Sequence, residues 1–185
     1  QIGKLTQLHE LYIYSNQLTA LPQTLNRLTQ LITLDASYNA IQQLPEKFQH
    51  LPQLQSLNLR GNQFTAIPEN VYQLPKLKEL LLSSNVITKL PKSIETLTQI
   101  EKLMIANNSL TTIPEEIGQL TNLIELDISR NSLTQLPTTI NQLTQLERLN
   151  LSNNSFTSIP DEILNLPNLT TINTSGNHLK RQKKK

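Results

Sequence analysis

Apolar and polar positions along the chain repeat with a period of 23 residues. Leu8, Leu11 and Ile13 lead to Asn16 in the spacing L-x-x-L-x-L-x-x-N, and Leu123, Leu126 and Ile128 lead to Asn131 in the same way. Sliding the sequence by 23 residues places Asn16, Asn39, Asn62, Asn85, Asn108, Asn131, Asn154 and Asn177 in one column. Around the last two apolar positions the pattern alternates, one side chain in and the next out, which predicts a short strand. The second half of each unit reads x-L-x-x-L-P-x-x-I-x-x-L-x-x. Its apolar residues fall three apart, which predicts a tight turn followed by 3₁₀ helix or one helical turn. Strands from successive units, stacked about 4.8 Å apart, predict a parallel sheet.

In the fourth unit Leu80, Leu82, Ile87, Leu90, Ile94 and Leu97 are expected to point inward; in the seventh, Leu149, Leu151, Phe156, Ile159, Ile163 and Leu166. One unit cannot bury such a face alone. Stacking makes a continuous core, and stability becomes a sum over units and nearest-neighbour interfaces. The recurring Asn falls where the strand ends. Its amide carries two donors and an acceptor, enough to serve backbone groups of its own turn and of the adjacent one. Pro22, Pro45, Pro68, Pro91, Pro114, Pro137 and Pro160 form a second column and account for seven of the ten prolines. A fixed φ there starts the outer turn and removes a donor that has no strand partner.

This spacing resembles the leucine-rich repeat, and the 23-residue unit with L-P and a later Ile resembles the subclass found in intracellular scaffold proteins and many bacterial proteins. The resemblance covers residues 1–179: a partial unit 1–7, full units 8–30, 31–53, 54–76, 77–99, 100–122, 123–145 and 146–168, and a partial unit 169–179, with 180–185 as a basic tail. It implies an α/β solenoid, an arc with a parallel concave β-sheet and a convex side of 3₁₀, short-helix or irregular segments. It also implies a role in binding other macromolecules. Bacterial effector ubiquitin ligases are similar in part, but their repeats are shorter and they carry a separate Cys-bearing catalytic domain; this chain has no Cys. Ile2, Gly3, Leu5 and Thr6 align with Ile117, Gly118, Leu120 and Thr121, so the sequence opens inside a repeat, and a longer protein is expected. At the other end Ile172 and Thr174 replace the usual Leu pair, and Thr174 suits an end that meets solvent.

Composition narrows the function classes. The formal charge is +2, but Lys180, Arg181, Lys183, Lys184 and Lys185 are five of the 16 cations, which leaves 11 against 14 acids, a net of −3, in residues 1–179. A nucleic-acid-binding solenoid carries a basic stripe on one face; this body has none, and nucleic acid is not expected as a partner. The tail reads as a solvated segment or linker, with weak contact to a membrane as its most. No apolar run approaches the roughly 18 residues that span a bilayer, and QIGKLTQ has no secretory-signal pattern. A soluble chain is expected, cytoplasmic in preference to secreted. Asn107, Asn150, Asn153, Asn168 and Asn173 each open an N-x-[ST] triplet, read as a product of an Asn- and Ser-rich repeat and not as glycosylation.

Signs of catalysis are missing from the sequence. His9, His50 and His178 fall in the first, second and last units, too far apart to share a metal. No phosphate-binding loop, nucleophile elbow or zinc-binding helix signature occurs. Glu115 and Glu116 stand at the start of an outer turn, where negative charge suits the helix end. The expectation is a non-enzymatic chain with no cofactor and no metal.

Outward strand positions are where the repeat leaves the residue free. The first outward row reads Glu10, Thr33, Ser56, Glu79, Lys102, Glu125, Arg148, Thr171, and its signs alternate from Glu79 to Arg148, predicting a lateral ladder of ion pairs. The second reads Tyr12, Asp35, Asn58, Leu81, Met104, Asp127, Asn150, Asn173, and the third Tyr14, Ser37, Arg60, Ser83, Ala106, Ser129, Ser152, Ser175. Tyr12, Tyr14 and Tyr38 lie on or at the rim of this face, and tyrosine is enriched at interfaces because a large apolar ring ends in a polar tip. Leu81 and Met104, expected to be exposed neighbours, extend the patch with Arg60, and Asp35 lies between. Tyr12, Tyr14, Asp35, Tyr38, Arg60, Leu81 and Met104 are therefore the candidate partner-binding residues; the Asn and Ser beyond them read as solvated surface. The reading is a monomeric protein-protein interaction module. Its alternatives are the sensor or substrate-targeting region of a larger enzyme, such as a GTPase or ubiquitin-ligase effector, and a secreted or surface adhesion protein.

Overall fold

The alternation around the inner apolar pair yields eight strands of three residues each, in a computed structural model that describes residues 1–180. They are β1 (Glu10–Tyr12), β2 (Thr33–Asp35), β3 (Ser56–Asn58), β4 (Glu79–Leu81), β5 (Lys102–Met104), β6 (Glu125–Asp127), β7 (Arg148–Asn150) and β8 (Thr171–Asn173). They form one parallel sheet in chain order, and the register advances by one unit per strand, as in Glu10 beside Thr33 and Tyr12 beside Asp35. The second half of every full unit makes a short 3₁₀ segment, for example Gln23–Arg27, Lys92–Thr96 and Glu115–Gln119. The fold is thus a solenoid arc with the sheet on one side and 3₁₀ turns on the other.

Proline starts these turns. Pro22, Pro68, Pro91, Pro114, Pro137 and Pro160 each stand just before a 3₁₀ segment with φ between −60° and −79°. In the second unit the segment begins later, at Phe48, whose N–H donates to the Pro45 carbonyl at 3.0 Å.

One apolar cluster runs through the described residues. All the inward residues expected in the fourth unit are buried. In the seventh, Ile159 corrects the expectation: it is 44% exposed, whereas its counterparts Leu90, Ile113 and Leu136 are buried. Those residues are covered by the matching turn of the next unit, and no such turn follows Ile159 among the described residues.

The Asn column joins the units. The Asn62 amide Nδ2 donates to the Leu59 carbonyl of its own turn and to the Ala36 carbonyl of the preceding one, both at 3.0 Å. Its Oδ1 accepts the Ile41 N–H of the preceding unit at 3.0 Å. Asn85, Asn108, Asn131 and Asn154 repeat this three-bond pattern. Asn16 makes only the bonds to its own turn among the described residues.

Lys180 N–H donates to the Thr157 carbonyl at 3.1 Å. The rest of the basic tail lies outside the described residues. No helix among the described residues is long and apolar enough to cross a membrane.

Candidate functional site

The sheet register sets the lateral order of the outward rows. Tyr12 on β1 stands beside Asp35 on β2, Asp35 beside Asn58 on β3, Asn58 beside Leu81 on β4, and Leu81 beside Met104 on β5. Tyr12, Tyr14 and Tyr38 are 56%, 54% and 49% exposed, so three large rings face solvent within the first two units. The fourth tyrosine, Tyr72, is buried on the turn side, where its hydroxyl has no partner among the described residues and burial pushes its phenol well above the ordinary value.

Leu81 and Met104 correct the expectation of exposure: both are half-buried. Strands about 4.8 Å apart bring neighbouring side chains into contact, and Asn58 and Asp127 flank the pair. The Ser row is a larger correction. Ser37, Ser83, Ser129 and Ser152 are buried, not solvated, because these short side chains sit low between bulkier outward neighbours. Ser37 shows how such a group is satisfied: its N–H and hydroxyl both donate to Asp35 Oδ1, at 2.9 and 2.6 Å.

Charges on this face are partly paired. Lys102 and Arg148 both reach Glu125 Oε2, at 3.2 and 3.4 Å, and Lys78 reaches Glu101 at 2.8 Å. Glu79 departs from the expected ladder. Its Oε2 accepts the nearer Ser56 hydroxyl at 2.8 Å, and Lys102 turns to Glu125. Exposed pairs of this kind contribute roughly 0–1 kcal/mol each. Asp35 Oδ2 accepts the Asn58 amide at 3.0 Å, and Asp127 Oδ2 accepts the Asn150 amide at 3.2 Å. Tyr12 donates its hydroxyl to Glu10 Oε2 at 3.2 Å, and that bond raises the phenol above its usual range.

A feature absent from the sequence reading lies at the rim. Ser15, Tyr38, Gly61, Ser84, Asn107, Arg130, Asn153 and Gly176 occupy one repeat position, and all have φ between 53° and 67°. Gly and Asn take this left-handed conformation readily, whereas other residues pay about 1–2 kcal/mol for it. Tyr38 and Arg130 are the bulkiest residues in the column, so folding alone does not account for them. The Tyr38 ring lies over Gly61, where an added Cβ would come within 2.7 Å of Tyr38 Cδ1, and the Arg60 guanidinium sits 5.6 Å from the centre of the same ring. This cation–π contact holds the Arg60 head in place. The sequence signal for Arg130 was available: Gly and Asn elsewhere in the column mark a left-handed turn.

Two concavities flank these features. A shallow groove of about 370 Å³ on the sheet side is lined by Arg60, Ser84, Met104, Asn107, Asp127 and Arg130, among others. A larger one, about 610 Å³, lies among the stacked turns, lined by Ile113, Glu115, Leu136, Thr138, Ile159 and Asp161, among others. In the second, the Glu115 carboxylate accepts the Thr139 N–H at 3.2 Å, and that bond holds its carboxyl below the usual range. Its stabilising effect is present above the unfolded-state pKa and is lost as pH falls through the folded one. No group of three or more potential metal ligands occurs among the described residues.

Residues 6–64 match a family model described as leucine rich repeat, and residues 103–183 match one described as leucine-rich repeat region. A leucine-rich repeat protein of Leptospira interrogans is 35% identical over 95% of this chain, with a TM-score of 0.93, and this chain covers 45% of it. The leucine-rich repeat ectodomain of the Arabidopsis thaliana membrane receptor kinase GASSHO1/SCHENGEN3, solved with CASPARIAN STRIP INTEGRITY FACTOR 2, is 34% identical over 96% of this chain, with a TM-score of 0.84 and 22% of its own length covered. An internalin of Listeria monocytogenes is 26% identical over 92% of the chain, with a TM-score of 0.82 and 49% of its length covered. The chain thus spans less than half of each. No curated protein matches the chain.

Proposed function

The chain belongs to the leucine-rich repeat family, and from that membership we propose that it is a non-enzymatic module that binds a protein partner on the sheet face of its first five units. One observation carries the reading: Tyr12, Tyr14 and Tyr38 are about half-exposed on a face whose inner positions are closed by the core. Tyrosine offers a large, rigid contact area at small entropic cost, and Tyr and Arg are over-represented among residues that dominate binding energy. Asp35 and Arg60 supply charge beside the rings, and Leu81 and Met104 extend the apolar surface to the sheet centre. The partner is a protein and not nucleic acid, since the body lacks a basic stripe, and the chain acts as a monomer.

The test is affinity capture from a lysate of the source organism, with the intact chain beside a Tyr12→Ala/Tyr38→Ala variant. The expected loss of captured partner is tenfold or more, about 1.4 kcal/mol per factor of ten, with melting temperatures within about 2 °C because exposed rings contribute little to folding. Equal capture by both proteins would overturn the assignment.

A second reading draws support from the neighbours. The receptor-kinase ectodomain and the internalin are both longer than the segment this chain matches. On that reading the same face is the recognition region of a larger receptor, enzyme or surface adhesin. The complete reading frame of the gene distinguishes the two.

A further inference from the structure

Most charged side chains on the sheet face have partners, and two do not. Lys78, Lys102 and Arg148 are each in an ion pair, whereas Arg60 and Arg130 make none among the described residues, and both are exposed. Both line the same sheet-side groove, one toward each end, with Met104 half-buried between them. Arg130 holds this place from a left-handed backbone position, at φ 53°, where Gly or Asn would fit without strain. The Arg60 guanidinium sits over the Tyr38 ring, 5.6 Å from its centre, a contact that uses the face of the ring and none of the five N–H donors in an ion pair.

We propose that the groove between Arg60 and Arg130 takes an extended, acidic segment of the protein partner, with one carboxylate at each guanidinium and an apolar side chain between them on Met104. The proposal rests on the reading of the sheet face as the partner-binding surface. Planar guanidinium matches carboxylate in a two-point hydrogen bond, which makes Arg the suitable residue for this task. The two arginines belong to units three repeats apart, so strands about 4.8 Å apart separate them by roughly 14 Å. An extended chain advances about 3.3 Å per residue, so a segment crossing the strands would carry its two acids about four residues apart. Ser83, Ala106 and Ser129 form a low floor that lets a backbone come close. Asp127 also lines the groove, but its oxygens already accept the Ser129 N–H at 2.9 Å and the Asn150 amide at 3.2 Å. A continuous polyanion such as nucleic acid would pass over Asp35, Asp127 and Glu125 on the same face; two isolated carboxylates spaced like the arginines would not.

Selection from a random dodecapeptide display library against the full chain tests this. Peptides recovered on the wild type should be enriched in Asp or Glu pairs about four positions apart. The Arg60→Glu/Arg130→Glu variant should lose that enrichment, and Arg60→Gln/Arg130→Gln should reduce it. A synthetic peptide chosen from the selection should bind the charge-reversed variant at least tenfold more weakly, read by fluorescence anisotropy. All three proteins should melt within about 4 °C of one another, since neither arginine has an ion-pair partner among the described residues and the contact that Arg60 makes with Tyr38 is an exposed one. The basic residues 180–185 are common to all three and cannot produce the difference. Equal acidic enrichment on all proteins, or no enrichment on the wild type, overturns the proposal. If recovered peptides lack acid pairs but are lost on Tyr12→Ala/Tyr38→Ala, the sheet-face reading stands and this one fails. If they survive every substitution, both fail.

Discussion

Asn85→Ala lowers stability by about 3 kcal/mol, whereas Asn16→Ala lowers it by less than about 1 kcal/mol, although both remove the same side chain from the same repeat position. Asn85 is buried; its Oδ1 accepts the Phe64 N–H at 3.0 Å, and its Nδ2 donates to Leu59 and Leu82 carbonyls at 3.0 and 2.9 Å. The two carbonyls keep a second amide each, from Asn62 and Asn108. The Phe64 N–H keeps nothing, and an orphaned buried donor costs about 1–3 kcal/mol. Two weakened acceptors and a small void supply the rest. Asn16 is exposed and serves only its own turn, so water replaces what it loses. In Asn85→Asp the Phe64 N–H keeps its acceptor, but a carboxylate oxygen then faces two carbonyls. That raises the folded-state pKa, so this variant loses stability as pH rises above the ordinary Asp range, near 3.9. Urea denaturation and exchange of the Phe64 amide measure these effects. Equal losses at Asn85 and Asn16 would show that the column does not join the units.

Leu80→Ala and Leu81→Ser, one residue apart, should separate folding from binding. Leu80 is fully buried, so its truncation costs about 3–4 kcal/mol through lost transfer energy and the cavity left behind. Leu81 points to the opposite face and is half-buried, so Leu81→Ser costs about 1 kcal/mol. Its effect should fall on partner capture instead. Chemical denaturation of the two variants beside the intact chain reads the difference; similar losses would mean that the outward row is part of the core.

Where the repeat dictates a residue, the sequence was legible. The strand register, the Asn column and the proline-started turns follow from spacing alone, because each unit must pair with its neighbour in the same way. The face was less legible, because its burial depends on the heights of neighbouring side chains. A strand pattern marks Ser129 and Ser152 as outward, yet they are shaded by longer neighbours, and Leu81 and Met104 are crowded on both sides. Ile159 carries the core pattern but lacks a covering turn. Glu79 stands opposite Lys102 but is taken by the Ser56 hydroxyl, a choice that charge alternation cannot express. Arg130 reads as an ordinary loop residue within its own unit; the left-handed turn it occupies is marked only by the column as a whole, through Gly61, Asn107, Asn153 and Gly176.

The claim on which the functional account depends is that the partner sits on the sheet face and not on the turns. The turn side offers a real competitor in Leu164, a side chain 74% exposed. Photo-crosslinking in a lysate of the source organism, with p-benzoylphenylalanine placed at Tyr38 in one protein and at Leu164 in another, compares the two surfaces directly. A discrete protein adduct from the Tyr38 position, with none from Leu164, is the expected result. An adduct from Leu164 with none from Tyr38 would contradict the account.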